Sequence, residues 1–207
     1  RNFYSAEITG LTPGTKYIYR VNSGDGNVSD TYHFTTASGK GNNFSFLWLT
    51  DNHYHDAGAS MGETYLYAEE VIKQAQIMRP ELSFVFDTGD MIDRGGSANI
   101  WDLMFSKRMT LKDFPLVGTT GNHELYINGT GQTTNRFHAA YNALPKNSVD
   151  GKIGTSCYFF YNDVLFILFE SVHPSSYNEQ LKWLDDVLRT TREQNSARLI
   201  VMGTHKP

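Results

Sequence analysis

The chain has 207 residues, enough for one sizeable domain and a piece of another. Its net charge is −4 from 18 basic and 22 acidic residues, and no basic block stands out, which argues against nucleic-acid binding by charge. Apolar residues make up 40% and aromatics 14%, sufficient for a packed core, while the longest apolar runs, such as VLFILF, are far too short to span a bilayer.

Taken in chain order, the first elements are strand-like. FYSAEITGL, KYIYRVNS and TYHFTT alternate loosely and are separated by turns at TPG and SGDGN, which predicts three short strands. LTPGTKYIYRV resembles the late strands of a fibronectin type III-like domain, where a tyrosine follows a Pro-Gly turn. Three strands cannot close such a sandwich, which takes about seven. Residues 1–38 are therefore expected to be the last strands of a β-sandwich domain, with a hairpin extension of the following region as the alternative. ASGKGNN, from Ala37 to Asn43, reads as a small-residue linker.

Beyond the linker, FSFLWLT is a short apolar run that ends at Asp51. GETYLYAEEVIKQAQIM follows, with Leu66, Ala68, Val71, Ile72, Ala75 and Met78 near helical spacing, and Pro80 closes it. LSFVFDT predicts the next strand, and Trp101 to Met109 a helix. PLVGTTGNHE reads as a strand running into a loop. YFFYND and VLFILFES predict two strands joined by a tight turn at Asn162 and Asp163. In SYNEQLKWLDDVLRTTRE, Leu181, Leu184, Val187 and Leu188 share a helical face, and Ser176 with Glu179 fits a capping box. ARLIVMGT is the last strand. Strands alternating with helices argue an α/β domain. Cys157 is the sole cysteine and settles no redox compartment.

Four of these strands run into metal-capable residues. FLWLT leads to Asp51 and His53, FVFDT to Asp90, LVGTT to Asn122 and His123, and LIVMGT to His205. Open α/β sheets bind ligands beyond the carboxyl ends of their strands. Each signal alone is weak, since a D-x-H, a GD turn or a GNH cap is common; four strands delivering Asp, His, Asn and His to one edge form a convergent site.

The order D-x-H, GD-x-x-DRG, GNHE and a late His resembles the calcineurin-like metallophosphoesterases over about Phe44 to Pro207. RFHAAYNALP and EQLKWLDDVL are similar to further segments of that family, and the preceding strands narrow the resemblance to its purple acid phosphatase-like branch. The resemblance implies a four-layer α-β-β-α sandwich over residues 44–207 with two metal ions at the strand ends. A two-metal hydrolytic site needs ions roughly 3.5–4 Å apart, hence a bridging carboxylate, and Asp90 is the candidate. Asp51, His53, Asn122 and His205 complete the metal-ligand set, and mixed oxygen and imidazole donors suit Fe, Mn or Zn. The resemblance further implies that Asp93 accepts a hydrogen bond from His123, that His123 is a general acid and phosphate binder, and that Arg94 binds phosphate oxygens. Against Arg94 stands a plain surface ion pair.

Two departures from the family pattern matter. Its last motif, Gly-His-x-His, would lie beyond Pro207, so the phosphoesterase region is expected to be incomplete at its C-terminus. Where purple acid phosphatases carry an iron-ligating tyrosine, this chain has Asp93. The expected function is metal-dependent hydrolysis of a phosphate mono- or diester by a metal-bound hydroxide at a binuclear centre, acting on a small-molecule or phosphorylated substrate. The alternative is a phosphoesterase-fold relic serving as an extracellular binding or adhesion module. The preceding strands suggest a secreted, periplasmic or cell-surface location. His55 and Asp56 read as solvated loop residues, Glu124 as structural, and His33, His138 and His173 as ordinary surface or core histidines.

Overall fold

The computed structural model describes residues 2–54, 64–107, 109–126, 136–150, 152–172 and 177–206. Strands β1 (Lys16–Tyr19) and β2 (Tyr32–Thr35) form an antiparallel pair. The predicted strand FYSAEITGL does not form: all of these residues but the half-buried Leu11 are exposed, and none belongs to a strand. Alternation alone makes no strand when no neighbouring edge accepts its N–H groups.

Among the described residues, the remaining strands form two three-stranded sheets. The first holds β3 (Ser45–Leu49), β4 (Leu82–Asp87) and β5 (Leu116–Gly118), all parallel. The second orders β6 (Cys157–Tyr161), β7 (Val164–Phe169) and β8 (Leu199–Thr204), with the β6–β7 pair antiparallel and the β7–β8 pair parallel. Asn162, with φ +53°, turns the β6–β7 hairpin where the sequence predicts it. The helices are α1 (Thr64–Met78), α2 (Ala98–Lys107), α3 (Asn122–Leu125), α4 (Arg136–Asn142) and α5 (Tyr177–Glu193). The capping-box residue Ser176 lies outside the described residues.

The layers follow from strand alternation. Phe84 and Phe86 of β4 meet Val164, Phe166 and Leu168 of β7 in one apolar cluster between the sheets. Leu165 and Ile167, the intervening residues of β7, pack instead on Val187, Trp183 and Leu188 of α5. Strand β7 is thus buried on both faces, which is why VLFILF reads as a continuous apolar run. On the far side of the first sheet, Ile100, Trp101 and Met104 of α2 close a third cluster with Met91, Ile92 and Tyr54. The result is a four-layer α-β-β-α sandwich. Helices α1 and α5 bury less than their sequences suggest: Val71, Met78 and Leu181 are exposed, and only Ala68 and Ile72 of the described α1 apolar positions are buried. No helix among the described residues is long and apolar enough to cross a membrane.

Candidate metal centre

The parallel strands β3, β4 and β5 end at one edge, and the chain continues their pairing past that edge. Asp51 N–H donates to Gly89 O at 2.9 Å, His53 N–H to Asp90 O at 2.8 Å, and Tyr54 N–H to Met91 O at 2.9 Å. The two loops therefore run side by side and hold Asp51, His53 and Asp90 against each other. All three adopt left-handed backbone, with φ of 56°, 43° and 53°. Such conformations cost non-glycine residues of order 1–3 kcal/mol each and persist where the surroundings impose them, which is characteristic of functional sites.

Ligand atoms of Asp51, Asp90 and His205 lie within 4.8 Å of one another, and so do those of His53, Asp90 and His123. Asp90 belongs to both groups. Its Oδ2 lies 3.3 Å from His205 Nε2 and 3.5 Å from His53 Nε2, while its Oδ1 accepts the His123 N–H at 2.9 Å. The other ring nitrogen of His205, Nδ1, faces the Thr88 carbonyl at 3.1 Å, which fixes the ring with Nε2 toward Asp90. Asp51 is the most exposed member and receives the Thr50 hydroxyl at 2.5 Å. Asn122 donates from Nδ2 to the Tyr126 hydroxyl at 3.4 Å, so its oxygen is the atom left for a cation.

His123 and Asp93 meet, though less through the carboxylate than the sequence suggests. Nδ1 of His123 lies 2.7 Å from the Asp93 backbone carbonyl and 3.3 Å from its carboxylate. The imidazole stands edge-on to that of His53, with centroids 4.4 Å apart. Arg94 pairs with Asp93 at 3.3 Å and its side chain is 41% exposed. His55 and Asp56 fall outside the described residues.

Several residues that shape the site are not among its candidate ligands or catalytic groups. Asp87 is fully buried and accepts Asn52 Nδ2 and Gly89 N–H, both at 2.9 Å, which ties the first loop to the second. A lone acid at the end of the apolar run LSFVF was the available signal. Glu124, also fully buried, accepts three backbone N–H groups; burial outweighs them and pushes its carboxyl up to about 8. Tyr126 packs edge-on against His123, and nothing in the sequence singles it out.

Residues 44–207 match the family described as calcineurin-like phosphoesterase, and residues 1–36 match the purple acid phosphatase N-terminal domain. No curated protein matches the chain. Among solved structures, the chain is similar to a purple acid phosphatase from yellow lupin (Lupinus luteus) seeds, with a TM-score of 0.72 at 16% identity. That match takes in 94% of this chain and 37% of the lupin chain, so the chain spans little more than a third of that enzyme. A conserved uncharacterised protein of Streptococcus pneumoniae, a predicted phosphoesterase, matches over 76% of this chain and 59% of its own at 14% identity, with a TM-score of only 0.31.

Proposed function

This chain belongs to the calcineurin-like phosphoesterase family, and we propose that it hydrolyses phosphate esters with two divalent metal ions held at the common edge of its sheets. The observation that carries the reading is Asp90, one buried carboxylate shared by two separate groups of possible ligands. A carboxylate has the two oxygens that bridging requires. The donor set is carboxylate and imidazole without thiolate, which fits Fe, Mn or Zn. In this reading Asp90 would be shared between the ions, and Asp51, His53, Asn122 and His205 would complete the ligand set, with Asp51 and His53 near enough to serve one ion. When bound, such ions supply Lewis-acid stabilisation of the charge developing on the phosphoryl group and activate water near neutral pH.

The protein's own groups do the rest. In the imidazolium form His123 donates its Nδ1–H to Asp93, and its Nε2–H gives up its proton to the leaving oxygen, returning the ring to the neutral Nδ1–H form. Arg94 turns from Asp93 to a phosphate oxygen when substrate arrives, its fork matching that geometry. We assign residues 44–207 to this chemistry and residues 1–38 to a preceding β-domain piece, in a protein that works outside the cytoplasm. Dialysis of the full chain against a chelator should abolish hydrolysis of nitrophenyl phosphate and of bis-nitrophenyl phosphate. Mn²⁺, Zn²⁺ or Fe²⁺ should restore it, and the substrate restored fastest identifies a monoesterase or a diesterase. Hydrolysis that survives complete metal removal overturns the reading.

A further inference from the structure

Glu124 lies in the short helix α3, between His123 and the end of the GNHEL segment, and is fully buried. Its Oε2 accepts the N–H of Asp90 at 2.7 Å and of Gly121 at 2.6 Å, and its Oε1 accepts the N–H of Ile92 at 3.1 Å. Two of these donors belong to the loop after β4 and one to the loop after β5. The first is the amide of Asp90 itself, whose backbone is held at φ +53°. A non-glycine residue stays there only when its surroundings over-determine it.

The two loops also touch backbone to backbone. A Cβ on Gly89 would come 2.3 Å from Gly121 N, and a Cβ on Gly121 would come 2.0 Å from Asp90 Oδ1. A Cβ on Gly95 would fall 1.7 Å from the Glu124 carbonyl oxygen, so the closing glycine of GDMIDRG is required by the same contact. No side chain fits between the loops to adjust their spacing. The three amides are buried, and in the interior unmet donors cost roughly 1–3 kcal/mol apiece. One carboxyl group meets all of them.

We infer that Glu124 is a positioning residue for the metal centre: by gripping the amides of Asp90, Ile92 and Gly121 it fixes the Asp90 carboxylate relative to Asn122 and His123. Its carboxyl oxygens are taken up by backbone amides, so it acts on the ligands through the backbone that carries them. The inference rests on the metal-site reading above. A residue that merely stabilises the fold would lower the unfolding midpoint and leave metal affinity alone. A residue that sets the distance between ligands changes metal affinity beyond any loss of stability, typically by about 10–100-fold.

The test uses the full chain and Mn²⁺ as probe. In the wild type, amide hydrogen exchange followed by NMR should show slow exchange at Asp90, Ile92 and Gly121. Glu124→Gln keeps the shape but turns an N–H₂ toward one donor. It should speed exchange at these amides and weaken Mn²⁺ binding by about 10–100-fold in calorimetric titration. Ile167→Ala, a core control remote from the loops, should lower the unfolding midpoint at unchanged Mn²⁺ affinity. Equal Mn²⁺ affinity in Glu124→Gln and wild type overturns the positioning role and leaves the hydrolytic reading standing. Should the variant not fold, the wild-type amides decide: slow exchange upholds the grip, and rapid exchange at all three overturns it. A wild-type chain that binds no Mn²⁺ overturns the hydrolytic reading and this inference together.

Discussion

His123 could serve in either of two ways, and its surroundings allow them to be told apart. It stands in a ligand group with His53 and Asp90, yet its Nδ1 is taken by the Asp93 carbonyl. As a general acid it matters only when the leaving oxygen needs a proton. His123→Ala should then slow an alkyl phosphate by about 10²–10⁴-fold and a nitrophenyl phosphate far less. Equal losses on both substrates, with Mn²⁺ affinity reduced as well, would make it a ligand. Asp93→Asn should be mild by comparison. The shorter contact to His123 is the backbone carbonyl, which survives the substitution, and a partly exposed ion pair contributes at most about 1 kcal/mol, or about fivefold in rate. At this scale the sequence was most legible where chemistry follows topology. Asp51, His53, Asp90 and His205 all sit just past strand ends, and the structure brings them together. Glu124 was legible as structural, but the loops that it and the Asn52–Asp87 contact tie together were not, because each joins segments more than thirty residues apart. No local pattern records which loop a buried carboxylate will reach.

Among the elements, β7 is the one whose environment its sequence states outright. An apolar side chain at every position fits only a strand covered on both faces, and all six residues are buried. Phe166 stacks on Phe159 at 5.2 Å and packs edge-on against Phe84 and Phe46, joining the two sheets. Phe166→Ala should cost about 3–5 kcal/mol in urea unfolding. Met78→Ala, at a position 77% exposed, should stay within about 0.5 kcal/mol. A similar loss at both sites would mean that the intersheet layer is not the core. The contrast also marks where periodicity misled. Helix α1 carries apolar residues at helical spacing, but Val71 and Met78 face outward, because period alone does not say how much neighbouring surface is available to cover a stripe. FYSAEITGL alternates as a strand should and forms none, for want of a partner edge. The paired strands and their alternation were readable; which surfaces they would find was not.

Across the whole molecule, the N-terminal pair and the sandwich meet through a few polar contacts. The Tyr19 hydroxyl donates to the Lys112 carbonyl at 2.6 Å, and His33 meets the Asp113 carboxylate through both backbone N–H and ring, at 2.9 and 2.8 Å. These contacts are part-exposed and contribute little to global stability. A larger pH-dependent term sits in the core of the sandwich. His138 on α4 is fully buried against Trp101, and Nδ1 faces the Gly154 carbonyl at 2.9 Å. Burial pushes its imidazole down to about 4 from an ordinary 6.5, the Gly154 contact only partly opposing it. Between those values the unfolded chain binds a proton that the folded chain refuses. The stabilisation is complete above pH 6.5 and is lost as pH falls toward 4, in all about 3 kcal/mol. Glu124 works in the opposite sense, since a carboxyl raised to about 8 favours the fold below pH 4.5 and withdraws that support as pH rises to 8. The two effects overlap between pH 4.5 and 6.5, so the wild-type slope mixes them. The difference between proteins isolates the histidine. His138→Leu should be less stable than wild type at pH 7, having lost the Gly154 contact, and the gap should close by about 3 kcal/mol on titrating to pH 4. Urea midpoints at pH 7, 6, 5 and 4 measure it, and a gap that stays constant would show that His138 takes up its proton in the folded core as readily as in the unfolded chain.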